Sequence, residues 1–190
     1  MKANAGGVGC VTEPETCTDC GGGSARTFLS GTLLCDRCTD RRVAQFTGYP
    51  ELPDPPPDLA LTGPDGRSHT MRFRFRRSPG GVVAEVEEVG QPAGEGYAAM
   101  AVGDQDADPW RLADAVKAQI TTEIQLLYLE QADHRPGWIL EGDEVAGRFV
   151  WVDHAEPYSV VVDGRTLTWE ALGRALEPFE GFRFRLVIEE

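Results

Sequence analysis

The sequence predicts an α+β protein divided into a small N-terminal module and a larger C-terminal domain. Three observations indicate this organisation. All five cysteines lie in the first 38 of 190 residues, five prolines crowd into residues 50–57, and alternating strand patterns with one long helical stripe follow. No apolar run reaches the ~18 residues of a membrane span and no signal peptide is visible, so we expect a cytoplasmic protein.

Four of the cysteines form two C-x2-C pairs that are separated by fourteen residues. A C-x2-C turn aims two thiolates at one ion, and two such turns complete the tetrahedron that zinc prefers. The sequence therefore predicts one structural Zn²⁺ per chain, bound by Cys17, Cys20, Cys35 and Cys38. Four cysteine ligands leave no vacant position for water, which disfavours a catalytic zinc.

The cysteines also have two alternative uses. Disulfide pairing would leave Cys10 without a partner, and it is rare in chains that lack a secretory signal. A redox C-x-x-C centre would explain either pair alone, whereas a zinc finger explains both. Cys10 lies in a glycine-rich stretch, so we expect residues 1–14 to be a flexible tail that carries a free thiol.

The residues around the cysteine pairs indicate a knuckle, a hairpin and a short helix. Gly21 permits the positive φ of a knuckle, and two β-prone runs flank Ser30-Gly31. A helical pattern with Cys35 and Cys38 in its first turn comes next. Over about residues 15–47 this order resembles the treble-clef zinc finger, with a plain zinc ribbon as the alternative. We assign residues 15–48 to this finger.

Residues 49–58 are predicted to be a proline-rich linker. Their prolines favour an extended polyproline-like chain of about 3.1 Å per residue, which acts as a semi-rigid spacer. A proline-rich recognition ligand is the alternative. The linker would join the finger to an acidic α+β domain over residues 59–190, in which a mainly antiparallel sheet packs with one long and one short helix.

The second domain begins with a strict strand alternation over residues 69–77. One face carries Met71, Phe73 and Phe75, and the other carries Arg72, Arg74 and Arg76. A second strand over residues 82–89 is expected to complete a hairpin across a four-residue loop.

A single register of this hairpin suits both the charges and the core. If Arg74 faces Glu85, then Phe73 faces Val86 on the opposite side of the sheet. The arginine stripe is therefore expected to be a salt-bridged outer face.

A long helix is predicted from Asp108, a natural N-cap, through about Leu129. Its apolar residues recur every three or four positions: Leu112, Val116, Ile120, Ile124 and Leu127. Thr168 is expected to cap a short helix after a tight Asp163-Gly164 turn. Further strands are predicted over residues 97–102, 138–140, 147–152, 158–162 and 182–188.

The end of the chain resembles the C-terminal signature of a bacterial domain family of unknown function. Val162 to Arg174 carries a D-G turn, a T-W-E helix start and a G-R pair, and Glu180 to Leu186 carries an E-G-F strand start. The resemblance implies a fold and no chemistry.

The net charge of −13 lies entirely after residue 50, because residues 1–50 carry five basic and five acidic side chains. Such a surface repels phosphate backbones and anionic membranes.

Phosphate-loop, nucleophile-elbow, H-E-x-x-H and dinucleotide motifs are absent from the sequence. We therefore expect a non-enzymatic interaction or adaptor protein whose partner is another protein. The alternatives are a nucleic-acid-associated regulator that uses the finger and an enzyme with its site in the second domain.

Overall fold

The computed structural model describes residues 16–22, 25–78, 80–92, 94–132, 136–150 and 159–188. Within them the chain has the predicted α+β fold, with antiparallel sheets and three α-helices. Two compact units are present. The first combines the described residues up to Asp54 with Phe75–Val83 and Val102–Pro109, and the second contains Pro55–Arg74, Ala84–Ala101 and the described residues from Trp110 onward. The division into finger, linker and second domain at residues 48 and 58 stays a prediction.

The N-terminal cysteine region contains the predicted hairpin and helix. Strands β1 (Thr27–Leu29) and β2 (Thr32–Leu34) pair antiparallel across a turn in which Ser30 and Gly31 both have positive φ, 51° and 78°. Helix α1 (Asp36–Thr47) follows directly and ends at Gly48, whose φ of 79° is left-handed. Glycine suits this C-terminal position because it lacks the Cβ that disfavours the left-handed region.

A four-stranded sheet has the order β3-β4-β5-β6. Its strands are β3 (Leu59–Thr62), β4 (Ser68–Ser78), β5 (Gly81–Glu88) and β6 (Ala98–Gly103). The alternation predicted for β4 is confirmed, since Met71, Phe73 and Phe75 are buried. Residues 49–58, between α1 and β3, have neither helix nor strand.

The β4–β5 hairpin agrees with the predicted register. The Val89 N–H donates to the Thr70 carbonyl at 2.8 Å. Thr70 lies four residues before Arg74 and Val89 four residues after Glu85, so this bond belongs to the same antiparallel register. Arg74 forms an ion pair with Glu87, its diagonal neighbour in that register. The strands extend to Ser78 and from Gly81, so the connection is shorter than the predicted four-residue loop.

Helix α2 (Pro109–Ile124) is shorter than predicted, since it ends at Ile124 and the prediction extended it to about Leu129. Its buried residues are Ala113, Val116, Ile120 and Ile124. The N–H groups of Gln125 and Leu126 bond three residues back instead of four, at 3.1 and 3.0 Å, which ends the helix in a turn. Beyond it, the Asp163 carboxylate accepts the Leu129 N–H at 2.8 Å and holds that residue in a strand.

The C-terminal part of the chain has two small sheets. Strands β7 (Leu129–Gln131) and β8 (Trp138–Leu140) pair with each other. A three-stranded sheet has the order β11-β10-β9, with the bounds β9 (Arg148–Val150), β10 (Ser159–Val162) and β11 (Arg165–Thr168). The predicted strand over 147–152 extends beyond the described residues, which stop at Val150 before this gap.

Helix α3 (Trp169–Ala175) begins as predicted, because the Thr168 hydroxyl accepts the Ala171 N–H at 3.1 Å. The helix closes a small core composed of Leu129, Leu140, Val160, Val162, Leu167 and Ala175. The predicted turn before β11 is also present, with positive φ at Asp163 and Gly164.

The strand predicted over residues 182–188 is wrong for the described structure, in which these residues have no strand partner and are exposed. Alternating sequence is not sufficient for a strand, because a strand also needs a neighbouring edge to accept its hydrogen bonds.

Among the described residues, no helix combines the length and the apolar character needed to cross a membrane.

Candidate metal centre

The first cysteine pair lies on a tight turn. The Gly21 N–H donates to the Cys17 carbonyl at 2.8 Å, and Gly21 has a φ of 69°. A Cβ on Gly21 would meet no atom within 4 Å, so glycine is favoured here by its backbone conformation and not by lack of space. The turn leaves Cys17 buried and Cys20 exposed.

The second pair lies at the start of α1. Cys35 is the N-cap residue in an extended conformation, and Cys38 lies in the first helical turn. The Thr39 N–H and hydroxyl both donate to the Cys35 carbonyl, at 2.9 and 3.0 Å. These bonds fix the direction of the helix relative to Cys35, and the helical spacing brings Cys38 to the same side.

The hairpin joins the two pairs. The Thr18 N–H donates to the Leu33 carbonyl at 3.0 Å, which ties the first turn to β2. Leu34 packs with Cys17 and Cys38 in a small core. Arg42 on α1 donates two hydrogen bonds to Asp19, at 2.8 and 2.5 Å, and so ties the helix to the first turn.

The structure brings the four predicted ligands together. One sulfur from each of Cys17, Cys20, Cys35 and Cys38 lies within 4.8 Å of the others, and all four cysteines are free thiols. The Sγ atoms of Cys20 and Cys35 are 3.8 Å apart. A tetrahedron with Zn–S bonds of ~2.3 Å has edges of about 3.8 Å, so this separation suits a shared ion and excludes a disulfide between the two sulfurs.

The local environment shifts the pKa values of the cysteine thiols in opposite directions. A hydrogen bond from the backbone of Cys35 contributes most to lowering the pKa of Cys17 to about 6. Desolvation by burial raises the pKa of Cys38 to about 12, and it also raises the pKa of Cys35. The protein environment therefore favours the thiolate form of Cys17 and disfavours the thiolate forms of Cys35 and Cys38. A divalent cation would favour the deprotonated form of all four thiols.

Cys10, for which we predicted a free thiol, lies outside the described residues. Each of the three arginines on α1 lies beside a carboxylate. Arg37, Arg41 and Arg42 lie within ion-pair distance of Asp54, Glu51 and Asp19, at 3.8, 3.7 and 2.5 Å.

A buried ion pair within the first unit was not predicted from the sequence. Arg77 donates to Asp40 at 3.1 Å, and both side chains are less than a tenth exposed. Arg77 also donates to the carbonyls of Gln105 and Pro50, at 3.1 and 2.6 Å. The second Asp40 oxygen accepts the Leu52 N–H at 2.6 Å. The ion pair thus connects α1, the segment after it, the end of β4 and the loop after β6.

A second buried pair occupies the other end of β4. The imidazole Nδ1 of His69 lies 2.7 Å from a Glu88 oxygen, and both residues are buried. The other Glu88 oxygen accepts the Tyr97 N–H at 3.2 Å, and the rings of Tyr97 and His69 meet edge to face. The sequence did not identify His69 and Glu88 as a pair.

A signal for both pairs was present in the sequence. His69 and Arg77 share the odd-numbered face of β4 with the buried apolar residues. A polar residue on a buried face requires a partner. The alternation therefore indicated that both side chains were paired, but the partners come from other elements.

Two protein-family models match the chain after the cysteine region. Residues 53–125 match the model of a domain of unknown function, DUF7686, and residues 128–190 match that of a second such domain, DUF7713. The C-terminal signature that resembled a family of unknown function lies within the second match. No curated protein and no solved structure matches the chain. The cysteine quartet precedes both matched segments, which together contain most of the remaining chain.

Proposed function

We propose that this protein is a cytoplasmic, non-catalytic interaction protein whose N-terminal finger is held together by one structural Zn²⁺. The observation that carries the proposal is the convergence of four free thiols within 4.8 Å. Thiolates are soft ligands that suit Zn²⁺, and free thiols persist in a reducing compartment. Bound zinc would stabilise the fold of the finger and hold all four cysteines as thiolates.

The order of elements supports a treble-clef-like finger. A cysteine turn is followed by the β1–β2 hairpin and then by α1, whose N-cap and first turn supply the second pair. In this arrangement Cys17, Cys20, Cys35 and Cys38 fill the four positions of a tetrahedral ion, which favours a structural role because no position is left for water.

The charges on the finger favour a protein partner over a nucleic acid. The three arginines of α1 lie beside carboxylates, and the chain carries a net charge of −13. A nucleic-acid surface needs basic side chains that are available to phosphates. We therefore expect binding to generic duplexes to be weak, and salt-sensitive duplex binding that is lost in Arg41→Glu would favour the nucleic-acid alternative instead.

Native mass spectrometry tests the zinc site. The wild-type chain should carry one Zn²⁺, and Cys35→Ser should lose it, because three thiolates hold zinc less tightly than four. Cys10→Ser is the matched control, since it makes the same change outside the quartet, and it should retain the ion. Cobalt substitution provides a second readout, with the visible absorption of tetrahedral thiolate coordination in the wild type and in Cys10→Ser.

Three results would contradict the zinc proposal. They are a wild-type chain purified in reduced form that binds no zinc, full zinc retention in Cys35→Ser, and a Cys17–Cys20 or Cys35–Cys38 disulfide in freshly prepared cytosolic protein.

The interaction role has a separate test. Affinity capture with wild-type and Cys35→Ser chains should yield a protein partner that only the zinc-loaded form retains, and capture unchanged by Cys35→Ser would show that the finger does not bind the partner.

A further inference from the structure

The C-terminal segment, residues 182–188, exposes an unusual amount of apolar surface. Five large apolar side chains are more than half exposed, and Phe184 reaches 92%. These residues are Phe182, Phe184, Leu186, Val187 and Ile188. A contiguous exposed apolar run of this kind marks an interaction site in a soluble domain.

The segment has the sequence of a β-strand but pairs with no strand among the described residues. Phe182, Phe184, Leu186 and Ile188 alternate with Arg183 and Arg185, which is the pattern of a strand with one apolar and one charged face. The segment also lies within the DUF7713 match, so it belongs to the matched domain. Its start is anchored, because the Phe182 N–H donates to the Phe179 carbonyl at 3.0 Å and the two rings lie 6.0 Å apart.

The same domain offers an edge that could accept such a strand. Among the described residues β9 is at the edge of the three-stranded sheet and has a strand partner only on the β10 side. Phe149 in the middle of β9 is half exposed and lies 5.8 Å from the ring of Trp169, which is also half exposed. An additional strand beside β9 could bury this aromatic pair.

We propose that residues 182–188 pair as a β-strand with the β9 edge of a second copy of this chain, forming a symmetric dimer. Each chain carries both the 182–188 segment and the accepting edge, so two copies can pair reciprocally and close the assembly. Main-chain hydrogen bonds would supply part of the affinity, and the alternate apolar side chains would supply the rest.

The charges near the two surfaces are complementary. The 182–188 segment carries Arg183 and Arg185, whereas the loop before β9 carries three exposed acids, Glu141, Asp143 and Glu144. A seven-residue strand is longer than β9 and would extend beside this loop. Opposite charges at the two surfaces favour this pairing even though the whole chains repel each other through their net charge of −13.

The oligomeric state of the full chain tests the proposal. In analytical ultracentrifugation over a wide concentration range, the wild-type chain should dimerise and Phe184→Glu should be monomeric. The matched control is Phe46→Glu, because Phe46 is 91% exposed on α1 and the change introduces the same charge at a residue that belongs to neither the 182–188 segment nor β9. At concentrations where the wild type is monomeric, the circular dichroism of both variants should equal that of the wild type, since neither side chain is buried within a single chain.

A photo-crosslinking amino acid at position 184 identifies the accepting edge. In a mixture of isotopically light and heavy chains, crosslinks should join light to heavy chains and should map to residues 148–150. The proposal is overturned by a wild-type chain that is monomeric at every concentration, by a dimer that survives Phe184→Glu or is lost in Phe46→Glu, or by crosslinks to β9 within single chains only.

Discussion

Replacing Arg77 with alanine should destabilise the first unit more than any loss of an exposed arginine. Arg77 is bonded to the Asp40 carboxylate and to two backbone carbonyls, and its side chain is only 5% exposed. Alanine would remove all three interactions and would leave the Asp40 charge buried. The Leu52 N–H would then be the remaining hydrogen-bond donor to Asp40 that the described structure shows.

The expected loss of stability follows from the burial of the pair. Removing one partner of a buried ion pair costs about 3–5 kcal/mol, because the other charge stays desolvated without compensation. With a urea dependence of about 2 kcal/mol per molar, the unfolding midpoint should fall by about 1.5–2.5 M. An exposed pair is worth less than about 1 kcal/mol, because water already solvates its charges.

Urea unfolding followed by circular dichroism measures the effect, with Arg72→Ala as the matched control. Arg72 lies on the same strand and is bonded to Asp58, but its side chain is 53% exposed. We expect a large shift of the midpoint for Arg77→Ala and a small one for Arg72→Ala. A double variant that replaces both Arg77 and Asp40 with apolar residues should be more stable than Arg77→Ala, because no charge is then left buried.

Equal losses of stability in Arg77→Ala and Arg72→Ala would refute this reasoning. The reasoning would also be refuted if the stability lost in the double variant equalled the sum of the losses measured for the Asp40 and Arg77 single variants. Such additivity would mean that the two side chains do not interact.

Two further predictions concern the second unit. Phe73→Ala should cost about 3–5 kcal/mol because the ring is buried, whereas Arg74→Ala should cost less, and thermal melts that rank them in the opposite order would contradict our account of the hairpin. Burial raises the pKa of Asp163, so the folded state holds its proton more tightly than the unfolded chain. The stability of the wild type relative to Asp163→Asn should therefore decrease as the pH rises from about 4, and chemical unfolding curves that show no such trend would contradict it.

Local sequence was sufficient to predict most of the N-terminal region. The two C-x2-C pairs identified the four candidate ligands, and Ser30-Gly31 identified the hairpin turn. These features depend on residues close in the chain, so the local preference of the backbone and the structure agree. The treble-clef assignment and the identity of the metal stay predictions.

Strand β4 shows where sequence reasoning stopped. The alternation correctly identified the buried phenylalanines, and it also placed His69 and Arg77 on the same face. Their partners, Glu88 and Asp40, lie 19 and 37 residues away in the chain. Alternation specifies which face a residue occupies, whereas the partner depends on which other element packs against that face.

The sequence alone determined the cysteine quartet, the α+β class and the faces of the main strands, because each follows from spacing and local backbone preference. Tertiary structure decided where α2 ends, since Asp163 holds the Leu129 N–H in a strand. Among the described residues, it also left residues 182–188 without a strand partner despite their strand-like pattern. In both cases the outcome depends on a distant hydrogen-bonding partner, and the position of such a partner is not encoded in the segment itself.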